Sequence, residues 1–160
     1  MTAAEVRCVL VPVTGADLLL PNAAVAEVTG YAQPEPVSDA PAWMPGVLLW
    51  RGWQVPLIHF SVLAGLAEHE ALDSARICFA KSLIGSERMP YFALLAQAFP
   101  RLTTIDRSSL AEIPGTERPI GVAGRVMLGE SAAIVPDLDR LAHLVAHAAF
   151  GALPLSGKKP

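Results

Sequence analysis

The sequence predicts a mainly β fold: a small barrel, or a pair of barrels, closed by one C-terminal helix. Three observations carry that expectation. Roughly ten short apolar runs recur at near-regular spacing and are broken by Gly and Pro turns, a pattern of barrels rather than of alternating β and α units. Helical periodicity is convincing only near the end, after Pro136. Of 160 residues, 52% are hydrophobic and 17% charged, so the body of the chain can bury a core and is not intrinsically disordered. This length makes one domain over residues 1–160, or two small halves sharing a core, cut near 6–66 and 75–150 with strands free to exchange between them.

Val6 to Val13 is a run of Val, Leu and Cys; Thr14-Gly15-Ala16 breaks it and Asp17 to Leu20 follows, so the chain opens strand, turn, strand. Val25, Glu27 and Thr29 alternate with Ala26 and Val28 up to Gly30, another short strand. Between Gln33 and Pro45 stand Pro34, Pro36, Pro41 and Pro45, which cannot donate to a ladder of backbone hydrogen bonds. A loop of about a dozen residues results, and loops that long in a compact domain usually serve function. Val47 to Trp50 and Trp53 to Ile58 flank Arg51-Gly52 as a hairpin. Ser61 to Leu66 makes one helical turn or two before the charged patch Glu68 to Asp73. The second half repeats the rhythm with Arg76 to Ala80, a turn at Gly85-Ser86, Met89 to Phe99 and Leu102 to Ile105. A polar stretch around Pro114-Gly115 precedes Ile120 to Leu128, a turn at Gly129-Glu130 and Ala132 to Val135. Pro136-Asp137 then starts a helix whose Leu138, Leu141, Leu144, Val145 and Ala148 fall at 3.6-residue spacing until Gly151 stops it.

Mean hydropathy is positive, +0.43, so the charge-free stretches decide whether the chain enters a membrane. The longest, Gly52 to Ala67 and Leu141 to Gly157, hold 16 and 17 residues and include Pro56, His59, His143, His147 and Pro154. Neither reaches the roughly 20 apolar residues of a spanning helix. The start, Met1-Thr2-Ala3-Ala4-Glu5, has no basic region followed by an apolar one, so no secretory signal is expected and the protein is expected in the cytoplasm. Net charge is -3, and the Lys and Arg residues are scattered except for Lys158-Lys159; no basic face can be assembled for nucleic acid. Cys8 and Cys78 stand singly in apolar segments and read as buried free thiols.

No catalytic constellation is legible in the sequence. Ser86 and Ser131 lack the flanking glycines of a nucleophile elbow. Gly151 to Lys158 resembles a phosphate loop but has five residues between its glycines, with no room for a following helix. Asp139, His143 and His147 fall at i, i+4 and i+8, metal-ligand spacing on one helical face. Arg140 lies beside Asp139, no fourth ligand is visible, and a solvated polar face is the better account, so no metal is expected. His59, in an apolar strand, reads as a core or rim residue. Trp43, Trp50 and Trp53 lie within eleven residues, beside the Pro-rich loop and the Arg51-Gly52 turn. Trp and Arg anchor protein interfaces, and at least one of Trp50 and Trp53 is expected near a surface.

The run Pro41 to Ile58, PAWMPGVLLWRGWQVPLI, resembles the central signature of the CheW family of chemotaxis coupling proteins. Val25-Ala26-Glu27-Val28, Ile120-Gly121-Val122-Ala123 and Ala133 to Leu141 resemble further elements of that family. The resemblance implies two small five-stranded SH3-like β-barrels packed together with a C-terminal helix, a hydrophobic groove between them, and neither active site nor cofactor. It implies a cytoplasmic adaptor, monomeric alone, that binds a CheA-like histidine kinase regulatory domain and the cytoplasmic tip of a chemoreceptor. The residues it assigns to partner binding are Glu27, Trp43, Gly46, Trp50, Arg51, Gly52 and Trp53, with Glu27 and Arg51 expected to pair. Leu49 stands where the family usually has Asn, His59 and Ala96 where it usually has Asp. These departures point to a divergent branch, such as the ChpC or PilI type of type IV pilus chemosensory systems. A different class of function, a small β-barrel ligand-binding module or enzyme with a His59 and Trp pocket, is the alternative.

Overall fold

The structure is a computed structural model that describes residues 5–82, 89–115 and 118–150. The turn expected at Gly85-Ser86, and Gly151 as the helix stop, lie outside the described residues. In chain order the elements are β1 (Val6–Val13), β2 (Ala16–Pro21), a short 3₁₀ turn (Asn22–Ala24), β3 (Val25–Gly30), β4 (Gly46–Trp50), β5 (Trp53–Ile58) and α1 (Phe60–Leu63). They continue with β6 (Arg76–Lys81), β7 (Tyr91–Ala96), β8 (Arg101–Ile105), β9 (Leu110–Ile113), β10 (Val122–Leu128), β11 (Ser131–Pro136) and α2 (Leu138–Phe150). The fold is mainly β, as the rhythm of short apolar runs predicts. β9 falls in a stretch read as polar: only Leu110 and Ile113 of its four residues are large and apolar, too little for alternation to register.

Two sheets form. One has six strands in the order β8-β1-β2-β11-β10-β9, the other five in the order β3-β6-β7-β5-β4. The chain thus builds β1 and β2 into the first sheet, all of β3 to β7 into the second, and returns to the first with β8 to β11. Neighbours in each sheet are antiparallel except β2 with β11 and β5 with β7.

Side-chain alternation sends successive residues to different cores. On β7, Phe92, Leu94 and Ala96 enter the core shared by the two sheets, whereas Ala93 and Leu95 enter the interior of the five-stranded sheet. On β2, Leu18 and Leu20 join the shared core while Leu19 packs with Cys8, Val126 and Ala133 inside the six-stranded sheet. Both faces of these strands are therefore covered, which is why they read as unbroken apolar runs rather than alternating ones. The same burial raises the mean hydropathy, and no helix among the described residues is long and apolar enough to cross a membrane.

α2 closes the shared core. Asp137 caps it, its carboxylate accepting from Arg140 N–H at 3.0 Å and its carbonyl from Leu141 N–H at 2.8 Å. The buried stripe is Leu141, Ala142, Val145 and Ala146. Leu138, Leu144 and Ala148, which also fit the period, pack only partly buried at its border. Gly121, at positive φ (+83°), donates no side chain because a Cβ there would stand 3.0 Å from Leu141 and 3.5 Å from Phe60; its carbonyl accepts from Asp137 N–H at 2.8 Å. Cys8 and Cys78 are buried free thiols, and burial pushes the Cys78 thiol up to about 12, so it is not a nucleophile at neutral pH.

Candidate functional site

The hairpin β4–β5 turns through Arg51 and Gly52, which have φ of 49° and 80°. Two successive positive φ values suit the type I′ turn that matches strand twist. Gly52 adopts this freely, whereas Arg51 is a side chain in the left-handed region and is held there by its surroundings. The register puts Trp50 directly opposite Trp53.

Three contacts hold the tip. Arg51 Nη2 donates to Glu27 Oε1 at 2.6 Å, and Trp50 Nε1 donates to Glu27 Oε2 at 3.1 Å, so one carboxylate serves both. The Arg51 guanidinium stands over the Trp50 ring, 4.5 Å from its centroid. Trp50 in turn stacks on Phe79, centroids 4.3 Å apart, and meets the edge of Tyr91 at 4.9 Å. The indole N–H of Trp50, with help from Arg51, holds the Glu27 carboxyl below the usual carboxylate range.

These contacts do more than decorate a turn. Glu27 lies on β3 and Trp50 on β4, the two outermost strands of the five-stranded sheet. Their side chains join the sheet's edges where no backbone ladder does, closing it on itself. Trp50 is buried at 8% exposure, whereas Trp53 is 40% exposed and Leu49 81%. The Arg51 side chain is 59% exposed. The tip therefore presents a fixed cation beside a partly open indole, Arg and Trp being residue types that anchor an interface, while Leu49 opens onto the other face of the hairpin.

The other sequence-predicted site residues sit elsewhere or inside. Gly46 begins β4, about 13 Å along the strand from Trp50, and is buried. A Cβ on it would overlap the carbonyl of Glu35, whose N–H and C=O pair with Val47 at 2.8 and 2.9 Å. Gly46 thus lets the Pro-rich loop lie along the outer edge of β4. Trp43 is half-buried against the shared core, and its carbonyl accepts from His59 N–H at 2.7 Å. His59 is placed at the head of α1, accepting from Val62 and Leu63 N–H, and burial pushes its pKa down. Ala96 is wholly buried. On α2, Asp139 and His143 approach to 3.8 Å on the exposed face, and no group of three metal-ligating side chains occurs among the described residues. Sequence reasoning missed Phe79 and Tyr91, which sit on β6 and β7 and reach Trp50 only through strand order.

The model of one protein family, the CheW-like domain, matches residues 7–146. The chain belongs to the CheW-like domain family. A solved structure of the same fold is the scaffolding protein TtCheW from Thermoanaerobacter tengcongensis, 18% identical, with a TM-score of 0.69 over 86% of this chain and 87% of that one. No curated protein matches the chain by sequence. With the CheW-like fold in place, Glu27, Trp50 and Arg51 occupy the positions that the resemblance assigns to the family's paired charges and hairpin, and here the two charges do meet.

Proposed function

We propose that this CheW-like chain is a non-catalytic adaptor of a bacterial chemosensory array, linking the regulatory domain of a CheA-like histidine kinase to the cytoplasmic tip of a chemoreceptor. The observation that carries the reading is the tip of the β4–β5 hairpin: Arg51, more than half exposed yet fixed by Glu27 and Trp50, with Trp53 open beside it. A preorganised cation amid apolar surface suits a protein partner, since little side-chain freedom is lost on docking. Membership of the CheW-like family and the fold shared with a scaffolding protein support the same reading. Trp53 and Gly52 form the contact face beside Arg51; Trp43 and Gly46 shape it from the other end of β4. The protein acts in the cytoplasm and is monomeric until it meets its partners. Leu49, His59 and Ala96, where the family pattern has other residues, support a divergent branch such as the ChpC or PilI type of type IV pilus chemosensory systems. The pocket alternative gains nothing from the geometry, because His59 heads α1 and Trp50 is sealed between Phe79 and Arg51.

Pull-down of kinase regulatory domain and receptor tip with wild-type, Arg51→Ala and Arg51→Lys chains tests this. Arg51→Ala is expected to stay folded by circular dichroism and to lose at least tenfold in capture. Arg51→Lys should recover part, since an ammonium keeps the charge but not the planar fork. Capture by a folded Arg51→Ala at the wild-type level would sink the assignment of this turn.

A further inference from the structure

Between α1 and β6 the chain crosses the surface, and from Glu68 to Ser74 every residue but one is exposed. The one that turns inward is an acid, Glu70, while the apolar Leu72 is left in water. The only side chain that this stretch buries is therefore one that can ionise.

The buried carboxyl has a definite seat. Its Oε1 accepts from Thr14 N–H at 2.9 Å, in the turn between β1 and β2. Its Oε2 is buried with no partner among the described residues. The Thr14 carbonyl is taken by the hydroxyl of Ser61, fully buried on α1, at 2.6 Å. Glu70 thus fastens the connection to the β1–β2 turn. The connection's side-chain ties to Gln97 are exposed: Gln97 Nε2 donates to the Ala71 carbonyl at 2.9 Å, and Ser74 Oγ to the Gln97 carbonyl at 3.5 Å.

No cation offsets this carboxyl. Around it, Asp17 on β2 pairs with Arg101, Arg76 on β6 stacks over Phe99, and His59 heads α1. β1 has its one charge, Arg7, at the end far from Thr14, and β7 has none. Glu68, His69 and Asp73 of the connection itself are exposed. None of these groups bonds to Glu70 among the described residues. Such a seat suits the neutral acid, because a carboxylate there would be out of water with one N–H to hold its charge. Burial accordingly raises the Glu70 pKa against the hydrogen bonds that lower it.

We propose that Glu70 is a proton-operated latch: protonated, it fastens residues 68–74 to the β1–β2 turn, and on giving its proton to solvent it leaves its seat, freeing the connection and the Thr14 N–H while both sheets stay folded. The closed form holds the proton more tightly than the open one. Closure is therefore complete below the ordinary glutamate range and weakens as pH rises toward the raised value, by up to about tenfold in the opening constant per pH unit, and then levels off. The latch uses no residue of the hairpin tip and does not rest on the coupling role.

Amide hydrogen exchange of the full chain, followed by NMR from acidic to mildly alkaline pH and corrected for the intrinsic rate at each pH, tests it. The Thr14 and Ala75 amides, which donate to Glu70 and to the Leu72 carbonyl, should lose protection with that slope. The Phe92 and Leu94 amides of β7 should keep theirs, and the Glu70 carboxyl carbon should titrate where the loss levels off. Glu70→Gln keeps an acceptor for Thr14 but cannot ionise, so its protection should stay flat across the range. His69→Gln should reproduce the wild-type profile. Wild-type Thr14 protection that ignores pH overturns the proposal, as does a loss shared by β7 or a Glu70 carboxyl that titrates in the ordinary glutamate range; these need no variant. A loss that persists in Glu70→Gln, or one that vanishes in His69→Gln, would overturn it as well.

Discussion

Arg51 occupies a backbone conformation that glycine would take at less cost, and it does so where its side chain has two partners at once. The Glu27 carboxylate fixes its charge and the Trp50 face fixes its plane. A surface ion pair alone contributes little to stability, so the arrangement makes better sense as preorganisation of an exposed cation. Glu70 is the opposite case, a carboxyl taken out of water. It is 5% exposed, one oxygen accepts from Thr14 N–H, and the other has no partner among the described residues. Burial raises its pKa against the hydrogen bonds that lower it, which favours the neutral acid. A raised folded-state pKa gives a contribution that is complete below the unfolded value and is lost as pH rises through the folded one. Glu70→Gln keeps an acceptor for Thr14 and removes the ionisation. Its stability relative to wild type should therefore grow with pH, by on the order of 1 kcal/mol once Glu70 ionises, as measured by urea unfolding from mildly acidic to alkaline pH. A gap that stays flat or shrinks as pH rises would show that Glu70 is not held neutral by the fold.

At the scale of elements, close approach decides what each turn must be. Gly121 brings the start of β10 against α1 and α2, with Leu141 and Phe60 where a side chain would go, and its φ of +83° disfavours any other residue. Gly121→Ala should cost about 1 to 3 kcal/mol through overpacking and strain together, read as a lowered urea midpoint with an unchanged slope. Gly129→Ala, with positive φ but open space around it, separates the backbone share from the packing share and should cost less. The hairpin, the Pro-rich loop and the C-terminal helix were all legible in the sequence, because each is a local pattern: turn residues between two runs, prolines without donors, a 3.6-residue period. Glu27 and Arg51 were legible as a pair only through the family resemblance, since nothing local joins residues 24 positions apart. Phe79 and Tyr91 were not legible. Their roles come from strand order, and the order depends on which apolar runs share a face, which runs buried on both sides do not reveal. β9 is hidden for the opposite reason: none of its residues is buried and only Leu110 and Ile113 are large and apolar, too little to declare a face.

The whole molecule is joined by its shared core more than by either sheet. The chain leaves the six-stranded sheet after β2 and returns to it with β8, so the six-stranded sheet is assembled from two separate stretches that flank the contiguous one making the five-stranded sheet. Strands of both sheets, with α1 and α2, supply the largest core cluster: Val11 and Leu18 from one sheet, Phe92 and Leu94 from the other, Phe60 and Leu141 from the helices. The Gln97 N–H also reaches across from the end of β7 to the Pro12 carbonyl on β1 at 2.7 Å. Separating the sheets would expose these side chains at a cost of roughly 1.5 to 3 kcal/mol each, which leaves no stable half. Unfolding is therefore expected to be a single transition. All three tryptophans belong to β4, β5 and the loop before them, whereas Leu19 packs inside the six-stranded sheet in a cluster that holds no tryptophan. Leu19→Ala should cost about 2 to 5 kcal/mol. If the molecule unfolds as one unit, that cost must appear equally in tryptophan fluorescence and in far-ultraviolet circular dichroism, the two midpoints moving together in urea. A fluorescence midpoint that stays in place while the dichroism midpoint falls would mean that the five-stranded sheet stands by itself, and the shared core would then be an interface between two separable units.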